Sequence, residues 1–268
     1  MISPSCGEDK HGNSRGPVSR SPCYFTGIPY AGLLRTPHGR ITGVPPSVLR
    51  PFMANVRLRY QTIEFGDLDI HVCTLRDRQQ FDDPDGIAES LGISNALWPL
   101  FGVIWPSGLA LADFIDSYDL GNKRILEVGC GMALPSLLLN AKGADITATD
   151  CHPEVALFLA RNAAINAGAT IAFERTNWAD ANDTLGQFDL IIGSDLLYED
   201  EHIDLLANFI NAHARLRCEV ILVDPGRGRK TRLATAMEKL GYACTYQPLP
   251  NETGSGRHFV GHILKFVR

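Results

Sequence analysis

The chain has 268 residues, of which 45% are hydrophobic and 21% are charged, and its mean hydropathy is close to zero. This balance excludes a disordered acidic chain, a collagen-like repeat and a polytopic membrane protein. The formal net charge of −5 argues against nucleic acid as a partner, because neutralising phosphates requires clustered lysines and arginines. The seven cysteines are odd in number and include no CxxC pair, which favours a reducing compartment and predicts a cytoplasmic location.

The first 50 residues differ in composition from the rest of the chain. They carry six basic and two acidic residues, whereas residues 51–268 carry 19 basic and 28 acidic ones. Their prolines prevent a long helix, so residues 1–50 are expected to form a disordered or loosely attached tail. The alternative is an organelle transit peptide, since the segment is rich in arginine and poor in acids, although the prolines count against it.

The sequence of residues 51–120 predicts small accessory elements ahead of the regular strand–helix pattern of residues 121–268. Thr62–Phe65 and Leu68–Thr74 flank Gly66-Asp67 and predict a small hairpin. Ser90–Ala112 has no charged residue and is long enough to cross a bilayer, but its two prolines would leave backbone groups unpaired in lipid. We therefore expect no membrane contact here, but a buried loop followed by a helix from Pro106 to Tyr118.

Residues 121–268 alternate between apolar strands and helices, which predicts an α/β fold with a doubly wound, mainly parallel sheet of seven strands. The predicted parallel strands are Arg124–Val128, Asp145–Asp150, Ile171–Arg175, Phe188–Ser194 and Glu219–Asp224. The predicted helices are Leu134–Lys142, Pro153–Ala167, Glu201–His213 and Lys230–Leu240. Cys244–Leu249 and Phe259–Lys265 have no helix between them and predict an antiparallel hairpin at the sheet edge.

The first strand of this body leads into a glycine-rich turn, Glu127–Ala133, of sequence EVGCGMA. Glycines at a strand–helix turn let the backbone approach a ligand closely, although a tight turn without a ligand is the alternative. A nicotinamide-binding turn requires G-x-G-x-x-G, and its third position here is Leu134. A turn that binds S-adenosyl-L-methionine has the form acid-x-G-x-G-x-G, and here Glu127 supplies the acid while Ala133 replaces the last glycine.

Two further features follow the next two strands. Asp150 ends the second strand, where a carboxylate can accept hydrogen bonds from both ribose hydroxyls; capping the next helix is the alternative. Asn177-Trp178 follows the third strand, where an amide can bond the adenine edge and an indole can lie against its ring; a packed core tryptophan is the alternative. All three features lie at carboxyl ends of consecutive strands, where open α/β sheets bind ligands.

Four segments resemble the class I, seven-strand methyltransferases, and within them methyltransferase family 16, whose best-known members methylate lysines in proteins. The segments are Val103–Pro106, the turn Glu127–Ala133, the D-x-x-Y motif Asp195–Tyr198 and the D-P-G-R motif Asp224–Arg227. D-P-G-R together with Asp150–Pro153 most resembles the electron-transfer-flavoprotein beta-subunit lysine methyltransferases and their bacterial relatives. The resemblance covers about residues 60–268, and the chain departs from it at Ala133, which we expect to be tolerated with a φ angle below zero, in the polar stretch Asp82–Asn95 and in the tail.

The resemblance implies a Rossmann-like methyltransferase fold and a role for each matching residue. Residues 51–120 would cover the cofactor, with Trp105 lying over it, and residues 121–268 would form the methyltransferase core. Ser194 would line the pocket floor. The implied contacts with the cofactor are Glu127, Gly129 and Gly131 to its methionine part, Asp150 to the ribose, and Asn177 and Trp178 to the adenine.

The implied reaction is transfer of a methyl group from S-adenosylmethionine to a nitrogen. Asp195 and Tyr198 would face the acceptor, which the resemblance implies is a lysine of a protein substrate; a loop cap and ordinary helix packing are the alternatives for these two residues. The alternative functions are a small-molecule N-methyltransferase, an inactive cofactor-binding interaction module and, less favoured, a nicotinamide reductase. The histidines are not spaced as metal ligands, so no metal is expected, and the sequence does not predict the oligomeric state.

Overall fold

The computed structural model describes residues 57–77, 86–91, 93, 98–180, 183–249 and 259–268. The predicted tail, residues 1–50, lies outside the described residues, as does half of the polar stretch Asp82–Asn95. The prediction of a separate tail therefore stays a prediction.

A seven-stranded sheet organises the molecule, with the strand order β5-β4-β3-β6-β7-β9-β8. Strands β3 to β7 pair in parallel, and β9 pairs antiparallel with both β7 and β8. This confirms the predicted doubly wound, mainly parallel sheet with an antiparallel hairpin at its edge. The strands are β3 (Arg124–Val128), β4 (Asp145–Asp150), β5 (Ala172–Arg175), β6 (Phe188–Ser194), β7 (Ala214–Asp224), β8 (Ala243–Pro248) and β9 (His262–Val267).

Helices cover both faces of this sheet and bury an apolar core on each. The first face carries α2 (Pro106–Asp116), α3 (Leu134–Ala141) and α4 (Val155–Ile165), and the second carries α5 (His202–His213) and α6 (Lys230–Lys239). Neighbouring residues of β7 face opposite cores, with Val223 in the first and Leu222 in the second. A strand buried on both faces requires a continuous apolar sequence, which β7 has in Val220–Val223.

The elements ahead of the sheet pack onto its first face. The hairpin pairs β1 (Leu58–Phe65) with β2 (Leu68–Leu75), and β2 contacts α3 and α4. A one-turn helix, α1 (Ile87–Ser90), precedes a 3₁₀ helix over Trp98–Gly102. The segment Trp98–Asp116 is long and apolar enough to cross a membrane, but it is interrupted before Pro106, and Trp98, Leu111 and Ile115 are buried in the protein core.

Several predicted boundaries differ from the structure. Strand β1 begins at Leu58 and not at Thr62, and β9 begins at His262 and not at Phe259. Strand β7 begins at Ala214 and not at Glu219, because Ala214 pairs with Phe188 of β6 ahead of an irregularity where the register shifts. The arginines of this extension, together with an exposed Leu216, lack the buried apolar pattern of a central strand, which is why the sequence did not indicate it. Helix α4 begins at Val155, two residues after the predicted start.

Candidate active site at the carboxyl ends of the central strands

The turn between β3 and α3 has an unusual backbone. The φ angles of Gly129, Gly131 and Ala133 are +61°, +50° and +54°. A β-carbon on Gly129 would lie 2.5 Å from Cδ2 of Leu196, and one on Gly131 would lie 3.3 Å from the carbonyl oxygen of Phe101. Both glycines are therefore required for their conformation and for the close approach of neighbouring residues.

Ala133 does not meet the condition under which the sequence predicts it to be tolerated, a φ angle below zero. It adopts the left-handed conformation as the N-cap residue of α3, and its carbonyl accepts a hydrogen bond from the N–H of Leu137 at 2.9 Å. The left-handed region costs an alanine roughly 1–2 kcal/mol, because Cβ approaches the following carbonyl oxygen. The turn keeps the geometry of a glycine at this position and carries the strain that a glycine would avoid.

Asp150 at the end of β4 tethers the glycine turn. Its Oδ2 atom accepts a hydrogen bond from the N–H of Gly131 at 2.8 Å, and its Oδ1 atom accepts one from the N–H of His152 at 2.9 Å. Burial raises the pKa of Asp150, and these N–H donors oppose that rise. Glu154 is the N-cap residue of α4, with no side-chain cap, so the alternative that Asp150 caps this helix is wrong. The N–H and the thiol of the neighbouring Cys151 also act on this carboxylate, so only part of its capacity of about four acceptor sites is left for ribose hydroxyls.

Glu127 lies beneath the same turn and is 2% exposed. Its Oε2 atom accepts hydrogen bonds from both the N–H and the hydroxyl of Ser136, in the first turn of α3. Burial is the largest influence on its pKa and raises it to about 8. Glu127 therefore joins β3 to α3, a contact that the sequence analysis did not predict.

The segment before α2 covers the glycine turn. The carbonyl oxygen of Phe101 lies against Gly131, and the indole N–H of the half-buried Trp105 donates to the carbonyl of Leu100 at 3.1 Å. In the first turn of α2, a β-carbon on Gly108 would lie 3.6 Å from the hydroxyl oxygen of Ser194. The structure thus brings the segment before α2, the turn and the end of β6 together, and the covering role of Trp105 stays a prediction.

Asn177 and Trp178 follow β5 but differ in their surroundings. Asn177 is exposed, and its side-chain oxygen accepts a hydrogen bond from the N–H of Ala179 at 2.8 Å, which closes a local turn. Trp178 is half-buried, packs against the second core and lies edge-on to His202 with ring centroids 5.8 Å apart. Its Cζ2 atom is 4.0 Å from the position that a β-carbon on Gly129 would occupy. Trp178 thus lies beside the turn, whereas the side-chain oxygen of Asn177 has a partner in its own loop.

The D-x-x-Y motif follows β6, beside the glycine turn. Asp195 has a φ angle of +56° and is 5% exposed, and its N–H donates to the carbonyl of Val223 at 2.9 Å. Leu196 is the residue that approaches Gly129. Burial and the nearby Asp195 raise the pKa of Tyr198 to about 12, so its hydroxyl keeps its proton at neutral pH.

Arg227 completes this group and was not assigned a role from the sequence. Its Nε atom donates to Oδ1 of Asp195 at 2.5 Å and its second guanidinium nitrogen, Nη2, donates to Oδ2 at 3.0 Å. The guanidinium also lies over the ring of Tyr198, 4.4 Å from its centroid. The D-P-G-R motif was the available signal, but its arginine is 32 residues from Asp195 and sequence spacing alone does not pair them.

The thiol of Cys130 in the turn is not suited to nucleophilic chemistry. Burial raises the pKa of Cys130 well above its usual value, so this thiol stays protonated at neutral pH. Within the described residues, no group of three or more histidine, cysteine or acidic side chains is placed to hold a metal ion.

A family model described as lysine methyltransferase matches residues 94–234, just over half of the chain. The chain belongs to this lysine methyltransferase family. The match includes the glycine turn, Asp150 and the D-x-x-Y and D-P-G-R motifs, and it confirms the family assignment made from those motifs.

Curated relatives within this family carry different names. The electron transfer flavoprotein beta subunit lysine methyltransferase of Xenopus laevis is 27% identical over 141 residues, which cover 50% of this chain and 56% of that protein. A histidine protein methyltransferase 1 homolog of Dictyostelium discoideum is 29% identical over 117 residues, covering 41% and 38%. The chain thus spans about half the length, or less, of the curated relatives it matches.

The chain is also similar to solved methyltransferase structures. A methyltransferase from Pyrococcus furiosus aligns with a TM-score of 0.48 and 21% identity over 57% of this chain and 79% of that one. The fold is established by the strand order described above and not by this similarity.

Proposed function

We propose that this protein transfers the methyl group of S-adenosylmethionine to the side-chain amine of a lysine in a protein substrate. The observation that carries the proposal is the contact between the two motifs: Leu196 of D-x-x-Y packs against Gly129 of the glycine turn. A cofactor held at the turn and an acceptor held by Asp195 and Tyr198 would therefore be neighbours. The family to which the chain belongs supports the same reaction.

The residues at the carboxyl ends of β3 and β4 fit such a cofactor. Gly129 and Gly131 leave open the space that a β-carbon would crowd, so a ligand can approach their backbone. Asp150 would accept a hydrogen bond from a ribose hydroxyl, and a carboxyl oxygen of Glu127 would accept one from the amino group of the methionine part. Trp105 and Phe101 would close the site from above, and Trp178 would border it.

Methyl transfer requires positioning more than covalent help. When bound, the cofactor supplies a methyl group on a sulfonium sulfur, and the acceptor nitrogen attacks in line as the carbon–sulfur bond breaks. A lysine with a pKa near 10.4 is protonated at pH 7, so freeing its amine costs roughly 4.6 kcal/mol. Asp195 would orient the amine by hydrogen bonds, and the neutral hydroxyl of Tyr198 would border the acceptor channel, where burial lowers the cost of losing the proton.

The acceptor could also be another nitrogen, because one relative is named a histidine protein methyltransferase. Lysine is favoured here by the buried carboxylate of Asp195, which suits a cationic side chain. A protein acceptor, a cytoplasmic location and the absence of nucleic acid and membrane partners are likewise proposals. The location rests on cysteine usage, which agrees with the five free cysteines among the described residues.

The proposal is tested by incubating the protein with methyl-labelled S-adenosylmethionine and a lysate of the source organism, then separating proteins from small molecules. We expect label in a discrete protein band, lost with Asp195→Asn. Label confined to small molecules would instead support the small-molecule N-methyltransferase. Binding of S-adenosylmethionine without any transfer would indicate the inactive interaction module.

A further inference from the structure

The acceptor carboxylate already has a cationic partner in this structure. Asp195 is 5% exposed, and Arg227 donates to both of its oxygen atoms. Such two-point guanidinium–carboxylate pairs are among the stronger hydrogen-bonded contacts in proteins. A lysine ammonium that is to hydrogen-bond the same oxygens must therefore compete with Arg227.

Arg227 lies in a segment that can change its backbone conformation. It is flanked by Gly226 and Gly228, whose φ angles are +92° and +81°. A β-carbon on either glycine would meet no atom within 4 Å, so the backbone on both sides of Arg227 is free of close packing. Glycines tolerate large changes in φ and ψ at little steric cost, which suits residues that absorb a conformational change.

A second carboxylate lies three residues before Arg227. Asp224, at the end of β7, is 3% exposed, and neither of its side-chain oxygens has a hydrogen-bond partner within the part of the chain that the structure describes. It already interacts electrostatically with Arg227. A buried carboxylate without hydrogen bonds is costly, so a cation that reached Asp224 would be stabilised there.

We propose that Arg227 is the resident counter-ion of Asp195 and that it moves to Asp224 when the ammonium of the acceptor binds Asp195. The inference rests on the proposed function and adds a specificity-determining residue to it. In the free protein the Arg227 guanidinium is hydrogen-bonded to Asp195 and interacts with Asp224 only electrostatically. With a cationic acceptor bound, each carboxylate has its own cation, so the exchange does not leave either charge unpaired.

This arrangement selects for cationic acceptors. An uncharged side chain cannot replace the guanidinium at Asp195 without leaving that carboxylate buried and unpaired, which is strongly destabilising. The contrary interpretation is that the Arg227–Asp195 pair is a permanent structural contact between the ends of β6 and β7. Arg227 would then stay bound to Asp195 while the acceptor binds elsewhere.

The test follows the side-chain Nε–H resonance of Arg227 by ¹H–¹⁵N NMR in the full chain, saturated with S-adenosylhomocysteine. The probe is n-butylammonium, which is the lysine side chain without its backbone. Arg229 is the matched control, because it lies in the same loop and its Nε atom donates to Asp200 at 2.7 Å, outside the exchange. Tetramethylammonium at equal concentration controls for ionic strength, and saturation transfer from the protein reports whether the probe binds.

We expect n-butylammonium to shift the Arg227 resonance to a plateau while that of Arg229 stays unchanged and tetramethylammonium has no effect. In Asp224→Asn, the concentration for half of the shift should rise about tenfold or more, because the displaced guanidinium has lost its second carboxylate. Loss of saturation transfer in Asp195→Asn would show that the probe binds at Asp195. If the probe binds there without shifting the Arg227 resonance, the exchange is overturned and the proposed function still stands. Absence of any saturation transfer would count against both, because the acceptor site would then not bind an alkylammonium.

Discussion

Replacing Asp150 with asparagine separates its structural contact from its implied role in cofactor binding. The two carboxylate oxygens accept hydrogen bonds from Gly131 in the turn and from His152 after β4. An asparagine of the same shape has one oxygen and one NH₂ group, so one of the two N–H donors would face another donor. Asp150 would therefore lose its hydrogen bond to either Gly131 or His152.

Two effects of opposite sign set the magnitude. An unsatisfied buried N–H costs about 1–3 kcal/mol. Burial raises the pKa of Asp150, which means that ionising it in the folded protein is unfavourable, and a neutral amide avoids that cost. We therefore expect Asp150→Asn to lower the free energy of unfolding by about 1 kcal/mol, the low end of that range. This corresponds to a decrease of about 2–4 °C in melting temperature for a domain of this size.

The assay is thermal unfolding at pH 7.5, with and without S-adenosylhomocysteine. Asp145→Asn is the matched control, because Asp145 lies exposed at the other end of β4, and its effect should stay within about 0.5 kcal/mol. At a ligand concentration of 100 times Kd the wild type should gain about 2.7 kcal/mol, and Asp150→Ala should lose most of that gain. A melting temperature for Asp150→Asn equal to or above that of the wild type would refute the tether.

Three further predictions concern the turn and the acceptor group. Ala133→Gly should stabilise the protein by about 1 kcal/mol, because glycine removes the cost of the left-handed conformation. The control Ala164→Gly, in α4, should destabilise the protein by a similar amount. Chemical denaturation measures both free energies of unfolding, and a destabilised Ala133→Gly would contradict the backbone strain. Because burial raises the pKa of Glu127 to about 8 from a usual 4.5, the contribution of its protonated form to stability is complete below about pH 4.5 and is lost as the pH rises through 8. Glu127→Gln should remove that part of the pH dependence of the unfolding free energy. If the unfolding free energies of wild type and variant differ by the same amount at every pH between about 5 and 8.5, the carboxyl is not buried as described. Tyr198→Phe should leave cofactor affinity within about tenfold while lowering methyl transfer, and equal losses in both would place Tyr198 in the cofactor site.

The strands and the glycine turn were predictable because their signals are local. Buried parallel strands require continuous apolar segments, and β6 and the second half of β7 show them clearly. The turn was identified by two glycines and an acid within a few residues. The beginning of β7 was not predicted, because its pairing depends on a register shift against β6 that leaves no periodic pattern in its own residues.

The contacts of the site depend on residues distant in sequence, and these the sequence did not indicate. Arg227 pairs with Asp195 across 32 residues. An arginine between two glycines is as typical of an exposed loop as of a buried ion pair, so its sequence context did not indicate this contact. Ala133 replaces a glycine of the turn, and the turn, not the usual preference of alanine for a negative φ angle, determines its conformation. The contact between Ser136 and Glu127 spans the whole glycine turn, and no local pattern in the sequence indicates it.

The central claim, that Asp195 serves a lysine acceptor and not the cofactor, is tested most directly by comparing wild type with Asp195→Asn in two measurements on the same preparations. Mass spectrometry of the labelled substrate protein should place the added methyl groups on a lysine. Asp195→Asn should lower turnover by about 10²-fold or more while changing the affinity for S-adenosylmethionine by less than about tenfold. Methyl groups found on histidine or arginine, or turnover that survives while cofactor affinity collapses, would contradict the account.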